Sequence, residues 1–399
     1  MNYEIDVAKL DFKLRDELNK YLEELIKCGG SDLHIKSNAV IHKRVHGDVV
    51  EIDNKRFLSK EEALTLAKEL LRGRFAELVE KKSVDFTHNL NDNYRFRVNM
   101  FFQMDGVSAV FRTIPTDIPS FEELNLPKSI KHICENVYRG LILVTGPTGS
   151  GKSTTLASMI DYINRQRKSH IITIEDPIEF VHKDKDCIIN QRSIGQDAVD
   201  FTSALRGALR EDPDIILVGE MRDIDTMEIA LRAAETGHLV LSTLHTIDAK
   251  DTIKRIIGMF PGSEQNRIRL TLSSVLKAII SQRLCRTVDK KRIAALEVML
   301  QTHRISNLIL ENRDEEIRDA MIESGKESGI QLFDDHILDL YSRGIISKEE
   351  ALENATKRDD LEEKLDFVDS KARADAIQAG DRKPTFAEEK TFALKKQFD

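Results

Sequence analysis

Leu141-Ile-Leu-Val-Thr-Gly-Pro-Thr-Gly-Ser-Gly-Lys-Ser153 is the stretch on which the fold turns. Its first four residues are apolar without a break, the texture of a strand buried on both faces. A loop of the pattern GxxxxGKS follows and leads into 154–164, where Leu156, Ile160 and Ile163 share one side of a predicted helix. Strand, loop and helix in that order are the setting in which this spacing holds phosphate. The glycines let successive backbone N–H groups curl around the oxygens, and the helix N-terminus adds partial positive charge. With glycine near 7% of residues, a chance match in such a length is on the order of a per cent or two. Gly146, Pro147, Thr148, Gly149, Ser150, Gly151, Lys152, Ser153 and Thr154 are therefore candidate nucleotide-binding residues. Lys152 suits the β- and γ-phosphates of ATP, and Ser153 suits Mg²⁺.

The same texture continues outward. Ile171–Ile174, Ile215–Val218 and Leu239–Leu241 are further short apolar runs separated by helical stretches, one of them running from an Asp223 cap to Gly237. A parallel α/β sheet with crossover helices follows. Acidic residues stand at the carboxyl ends of its strands, in Ile174-Glu-Asp-Pro-Ile-Glu179 and Val218-Gly-Glu220. Ligands bind at such ends. Phosphoryl transfer to water needs one carboxylate to help hold Mg²⁺ and another to orient the attacking water. Glu175 and Asp176 suit capping or salt bridging as well. His238 and His245 bracket one strand, with His245 at its carboxyl end, where an imidazole would sense a γ-phosphate. Arg206, Arg210 and Arg222 are cationic candidates for the charge of the transferring group.

Before the sheet, the spacing of Leu14, Leu18, Leu22, Leu25 and Ile26 predicts an opening helix. Strands are expected near Leu33–Lys36 and Val40–Ile52, and a capping box at Ser59 to Glu62 starts a second helix reaching Leu71. Alternation in Tyr94–Met100, the turn Asp105-Gly106, and Val107, Ala109 and Phe111 predict a hairpin carrying Arg95 and Arg97, with Arg112 just beyond. Three prolines in 113–127 read as a linker. Beyond 262 the pattern reads as helical, with Ile268, Leu272, Val275, Ile279 and Leu284 on one stripe. Helices near 314–324, 330–342 and 347–356 are expected after it, the last behind a capping box at Ser347. The segment 358–399 is expected to be mobile or loosely helical.

The chain has 399 residues, of which 41% are hydrophobic and 32% charged, with a net charge of −8. An acidic balance and no basic, aromatic-rich stripe weigh against nucleic acid as a partner and against a strand translocase. The four cysteines lie far apart, as reduced thiols do. With no apolar run near the roughly 20 residues of a membrane span and no signal segment, a cytoplasmic protein that reaches the membrane through a partner is expected.

The segments Arg95-Phe-Arg-Val-Asn99, Val110–Pro115, Val144–Thr155, Thr173–Glu179, Glu211–Asp223, Ala234–His238 and Ser242–His245 together resemble the ATPases that drive type II secretion and type IV pili, and within them the PilT-type retraction branch. The resemblance covers about residues 10–356. It implies a PAS-like α+β N-terminal domain at 1–113, a linker at 114–127, and a RecA-like P-loop domain with helical extension at 128–357, followed by a tail at 358–399. By it, Glu179 is the catalytic base, Glu220 the Walker B carboxylate that holds Mg²⁺ through water, and His238 and His245 are the paired histidines. It also implies a homohexamer in which Arg95, Arg97 and Arg112 close over the nucleotide. The implied partners are a pilus platform protein of the inner membrane and paralogous pilus ATPases. Gly219 stands where many P-loop proteins have an aspartate. Assembly and secretion members usually carry a longer N-terminal region and a four-cysteine zinc module after the core. Here Cys285 stands alone, so retraction is the expected direction, with assembly or secretion as the alternative.

Overall fold

The computed structural model describes residues 11–378 apart from 46, 92–93, 116 and 326–327. The expected opening helix is α1 (Lys13–Lys27), which buries Leu18, Leu22 and Leu25. It is followed by β1 (Asp32–Lys36), β2 (Ala39–Val40), β3 (His42–Val45), β4 (Asp48–Glu51) and β5 (Phe57–Leu58). The expected single strand over 40–52 is thus three pieces. The chain reverses at Gly47, whose φ of 95° suits glycine, and β3 pairs antiparallel with β4. The capping box at Ser59 and Glu62 is present at the head of α2 (Lys60–Leu71). Next come α3 (Phe75–Lys81), β6 (Ser83–Asn89), β7 (Arg95–Gln103) and β8 (Gly106–Ile114), the last two forming the expected hairpin. The antiparallel sheet β4-β3-β1-β8-β7-β6 packs its apolar face against α1 and α2 around its own core.

The second sheet is built from β9 (Gly140–Thr145), β10 (His170–Glu175), β11 (Ile188–Ser193), β12 (Ile215–Val218), β13 (Leu239–Leu244), β14 (Leu276–Arg286) and β15 (Arg292–Leu300), in the order β11-β10-β12-β13-β9-β14-β15. All neighbours are parallel except β14 and β15. Helices cover both faces: α4 (Lys128–Asn136), α5 (Lys152–Asn164), α6 (Phe201–Ala208), α7 (Ile224–Glu235), α8 (Ala249–Gly258) and α9 (Gln265–Val275). Strand β9 shows why its run is wholly apolar. Leu141 and Leu143 enter the core on one face, Ile142 and Val144 the core on the other. Each such side chain contributes about 1.5–3 kcal/mol of burial.

Two expectations are corrected, and one strand is added that no sequence pattern marks. The helical stripe from Ile268 to Leu284 breaks at Val275, and Leu276–Arg286 is strand β14 inserted beside β9. Periodicity alone does not separate a short apolar helix from a buried strand, and the Ile279-Ile280 pair favours the sheet. Strand β11, polar and at the edge, carries no alternation to announce it. Finally, part of the segment beginning at 358 is ordered helix. After α10 (His303–Leu310), α11 (Ile317–Ser324), α12 (Phe333–Ser342) and α13 (Lys348–Glu353) comes α14 (Arg358–Gln378), with Leu361 and Leu365 fully buried. Residues 379–399 lie outside the described residues. At Ser347 the capping box is half made: its hydroxyl accepts from Glu350 N, while the Glu350 carboxylate turns to Arg286 N.

Candidate functional site

The carboxyl ends of β9, β10, β12 and β13 open on a cavity of about 920 Å³. After β9, Gly146, Gly149 and Gly151 take φ of 145°, 80° and 91°, which lets the loop wrap tightly before α5 begins at Lys152. The Lys152 ammonium donates to the carbonyls of Gly146 and Pro147, at 2.9 and 3.0 Å. Burial draws it below the ordinary lysine value, against the attraction of Glu220 and Glu179. Thr148, Gly149, Gly151, Lys152, Ser153 and Thr154 all line the cavity, whereas Gly146, Pro147 and Ser150 form the loop behind it.

Gly219 and Glu220 follow β12. The hydroxyls of Ser242 and Thr243 on β13 donate to the carbonyls of Val218 and Gly219, both at 2.6 Å, and so fix where Glu220 leaves the sheet. A side chain at position 219 would be tight: its Cβ would sit 3.2 Å from Ile174 O and 3.3 Å from Glu175 Cα. Glu220 faces a guanidinium and an imidazole, with Arg222 Nη2 at 2.8 Å and His245 Nε2 at 3.2 Å. Burial alone would raise its pKa, but Arg222 and His245 outweigh that and hold the carboxyl below its usual range.

The loop after β10 contains a cis Asp176–Pro177 bond. Its first acid, Glu175, points its carboxyl inward to accept from Thr173 Oγ1 at 2.6 Å and Gln191 Nε2 at 3.3 Å, although the residue as a whole keeps some exposure. Burial pushes that carboxyl up to about 7. Glu179 is exposed and lines the cavity with Lys152, Glu220, Arg222 and His245. Gln191 staples the loop to β11, donating to Phe180 O at 2.9 Å and accepting from His182 N at 2.8 Å. Gln191 has no motif spacing to mark it in the sequence. Gln282 on β14 is masked in the sequence too, because the apolar spacing of that strand also fits a helix.

Other candidates lie elsewhere in this single chain. His238 stands before β13, its Nδ1 donating to Ala233 O at 3.0 Å, at the far end of a six-residue strand about 20 Å long. Arg206 and Arg210 line a hollow with Asp225, Glu228 and Arg232. Arg112 is paired to Asp32 at 2.7 Å, Arg97 lies opposite it in the hairpin, and Arg95 borders a cleft with Gln191 and Asp197. None of these six lines the nucleotide cavity.

The cavity also tests for Mg²⁺. A hydroxyl in the first turn of α5 and a carboxylate held ionised are the oxygen donors that this ion accepts. Among the described residues no cluster of three His, Cys, Asp or Glu side chains forms a cage. The donors fit an ion completed by phosphate and water.

A glycine cradle at a helix N-terminus, opening at the carboxyl ends of parallel strands and faced by the ionised carboxylate of Glu220, defines a P-loop nucleotide-binding protein. The chain belongs to the family described as type II/IV secretion system proteins, whose model matches residues 8–357. It is 46% identical over 343 residues to the type IV pilus retractation ATPase PilT of Pseudomonas aeruginosa, covering 85% of this chain and 98% of that protein. It is likewise 46% identical over 320 residues to the twitching motility protein of Neisseria gonorrhoeae, covering 80% and 85%. A crystal structure of the pilus retraction motor PilT with bound ADP superposes with a TM-score of 0.80 at 44% identity, over 87% of this chain and 99% of that one. Among the described residues no helix is long and apolar enough to cross a membrane.

Proposed function

We propose that this chain hydrolyses ATP to drive retraction of type IV pili. One observation carries the reading: Lys152, Glu179, Glu220 and His245 converge on one cavity beside the glycine cradle, in a chain that matches a retraction ATPase along nearly its whole length. The cradle binds the β- and γ-phosphates, and Lys152 exchanges two backbone carbonyls for phosphate oxygens. Ser153 and, through water, Glu220 would hold Mg²⁺, which would supply charge neutralisation to the phosphates. Exposed Glu179 accepts a proton from the attacking water. His245, shared with Glu220, reads whether the γ-phosphate is present.

In this reading the residues up to 113 form one domain, 114–127 a linker and 128–357 the second. Six copies close a ring, and Arg95, Arg97, Arg112, Arg206, Arg210 and His238 complete or couple sites between domains and neighbours. Their places away from the cavity in a single chain support a role across subunits. The ring would act on a platform protein of the inner membrane from the cytoplasmic side. Deleting the protein tests it: surface pili should persist unretracted and overabundant, whereas loss of pili would move the assignment to assembly.

A further inference from the structure

We propose that Gln282, on β14, is a positioning residue for the phosphate cradle; this deepens the nucleotide reading above and rests on it. Gln282 is 3% exposed. Its Nε2 donates to Ser150 O at 2.6 Å, and its Oε1 accepts from Thr155 Oγ1 at 2.8 Å. The Ser150 carbonyl can only accept, so the amide nitrogen must face it. Strand and loop are in close contact at the same place. A Cβ on Gly146 would lie 2.3 Å from Gln282 O, and one on Gly151 would lie 2.7 Å from Gln282 Nε2.

These two bonds bracket the segment that matters. A trans peptide sets the Gly151 N–H antiparallel to the Ser150 carbonyl, so anchoring the carbonyl to Gln282 fixes the direction in which that N–H points. At the other end, Thr155 sits in the first turn of α5, one residue beyond Thr154. Everything between, including Lys152 and Ser153, is held at both ends by one side chain. The loop needs such a brace because its glycines have wide backbone freedom. The Ser150 hydroxyl supplies none, being buried without a hydrogen-bond partner. Gln282 thus acts through the loop rather than on phosphate.

Gln282→Met keeps the length of the side chain and removes both hydrogen bonds. The expected result is a KM for ATP raised roughly tenfold or more, with a weakened affinity for ADP and a smaller change in kcat. A role confined to fold stability would lower the folded fraction, cutting kcat while leaving KM unchanged. Thr155→Val removes one bond and should raise KM in the same direction, and Thr155→Ser, which restores the hydroxyl, should return it to the wild-type value. If Gln282→Met does not fold, this Thr155 pair carries the test. KM within twofold of wild type in the folded variants, with a normal ADP affinity, overturns the assignment. Absence of ATP turnover and ADP binding in the unaltered chain would instead overturn the nucleotide reading itself.

Discussion

His245 Nε2 lies 3.2 Å from Glu220 Oε1, while Arg222 Nη2 takes the other oxygen at 2.8 Å. The Glu220 carboxylate is therefore held from both sides and ionised at neutral pH. Glu220→Gln preserves its shape and removes its charge. Turnover should fall roughly 10²-fold or more, since the charged carboxylate that would hold Mg²⁺ through water at the transferring phosphoryl group is lost. ADP binding should persist, because the cradle is untouched. His245→Ala should cost less, as Arg222 still holds the carboxylate. Phosphate release and ADP titration on the same preparations check this; near-wild-type turnover of Glu220→Gln would defeat the assignment.

Glu179 is exposed in a loop whose far side is tied down by Gln191. Removing a general base costs about 10²–10⁴ in rate. Glu179→Gln should lose that much turnover while keeping its KM for ATP. Gln191→Ala frees the loop backbone at Phe180 and His182 and leaves Glu179 in place, so an intermediate loss of about tenfold is expected. Steady-state kinetics of both variants decide it. Should Gln191→Ala match the unaltered chain, the staple has no part in presenting Glu179.

Glu297 gives a pH signature away from the nucleotide. It is 3% exposed on β15, accepts from Ala249 N at 3.0 Å, and burial pushes its carboxyl up to about 7 from an unfolded value of 4.5. The folded state then binds the proton more tightly than the unfolded state. This stability is complete below pH 4.5 and is lost as pH rises through 7, with a slope of at most about 1.4 kcal/mol per pH unit. Glu175 contributes in the same sense. Glu297→Gln keeps an acceptor for Ala249 N and does not titrate. Relative to the unaltered chain it should gain stability at pH 7.5 over pH 5, read from urea midpoints at both values. Parallel pH profiles would show that the carboxyl titrates normally.

The phosphate cradle was legible because its chemistry is local: GxxxxGKS lies within one strand, loop and helix, and the Asp223 cap and the Ser59 capping box lie within one turn. What was hidden depends on pairing between distant segments. Leu276–Arg286 carries enough apolar residues to serve as helix or strand, and its place beside β9, more than 130 positions earlier in the chain, decides the matter. That error concealed Gln282, whose function exists only where β14 meets the loop. Arg95, Arg97 and Arg112 were legible as a charged group on a hairpin, and the single chain places them away from the cavity. The segment after 357 showed few clustered apolar residues because two of them, Leu361 and Leu365, one helical turn apart, are enough to seat α14.

Helix α14 begins just past the end of the family match at residue 357, yet it closes a core that reaches the nucleotide cavity. Leu361 and Leu365 pack with Phe333, Ile337, Leu340 and Ile346, while Lys348 pairs with Asp366 and Tyr341 donates to Asp369. Ile345, in the turn after α12, lines the cavity, and Arg283 stacks on Phe333 while donating to Asn354 O at 2.6 Å. Arg283 directly follows Gln282, so the α12–α14 unit and the phosphate cradle meet on consecutive residues of one strand. Leu365→Ala should destabilise the protein by about 3 kcal/mol through lost burial and the cavity it leaves. The exposed Asp366→Ala should cost about 1 kcal/mol or less. If the unit steadies the cavity, Leu365→Ala should also raise the KM for ATP at temperatures where the protein remains folded. Thermal denaturation and kinetics on both variants test this. A Leu365→Ala variant with unchanged stability would mean that α14 does not hold this seat in solution.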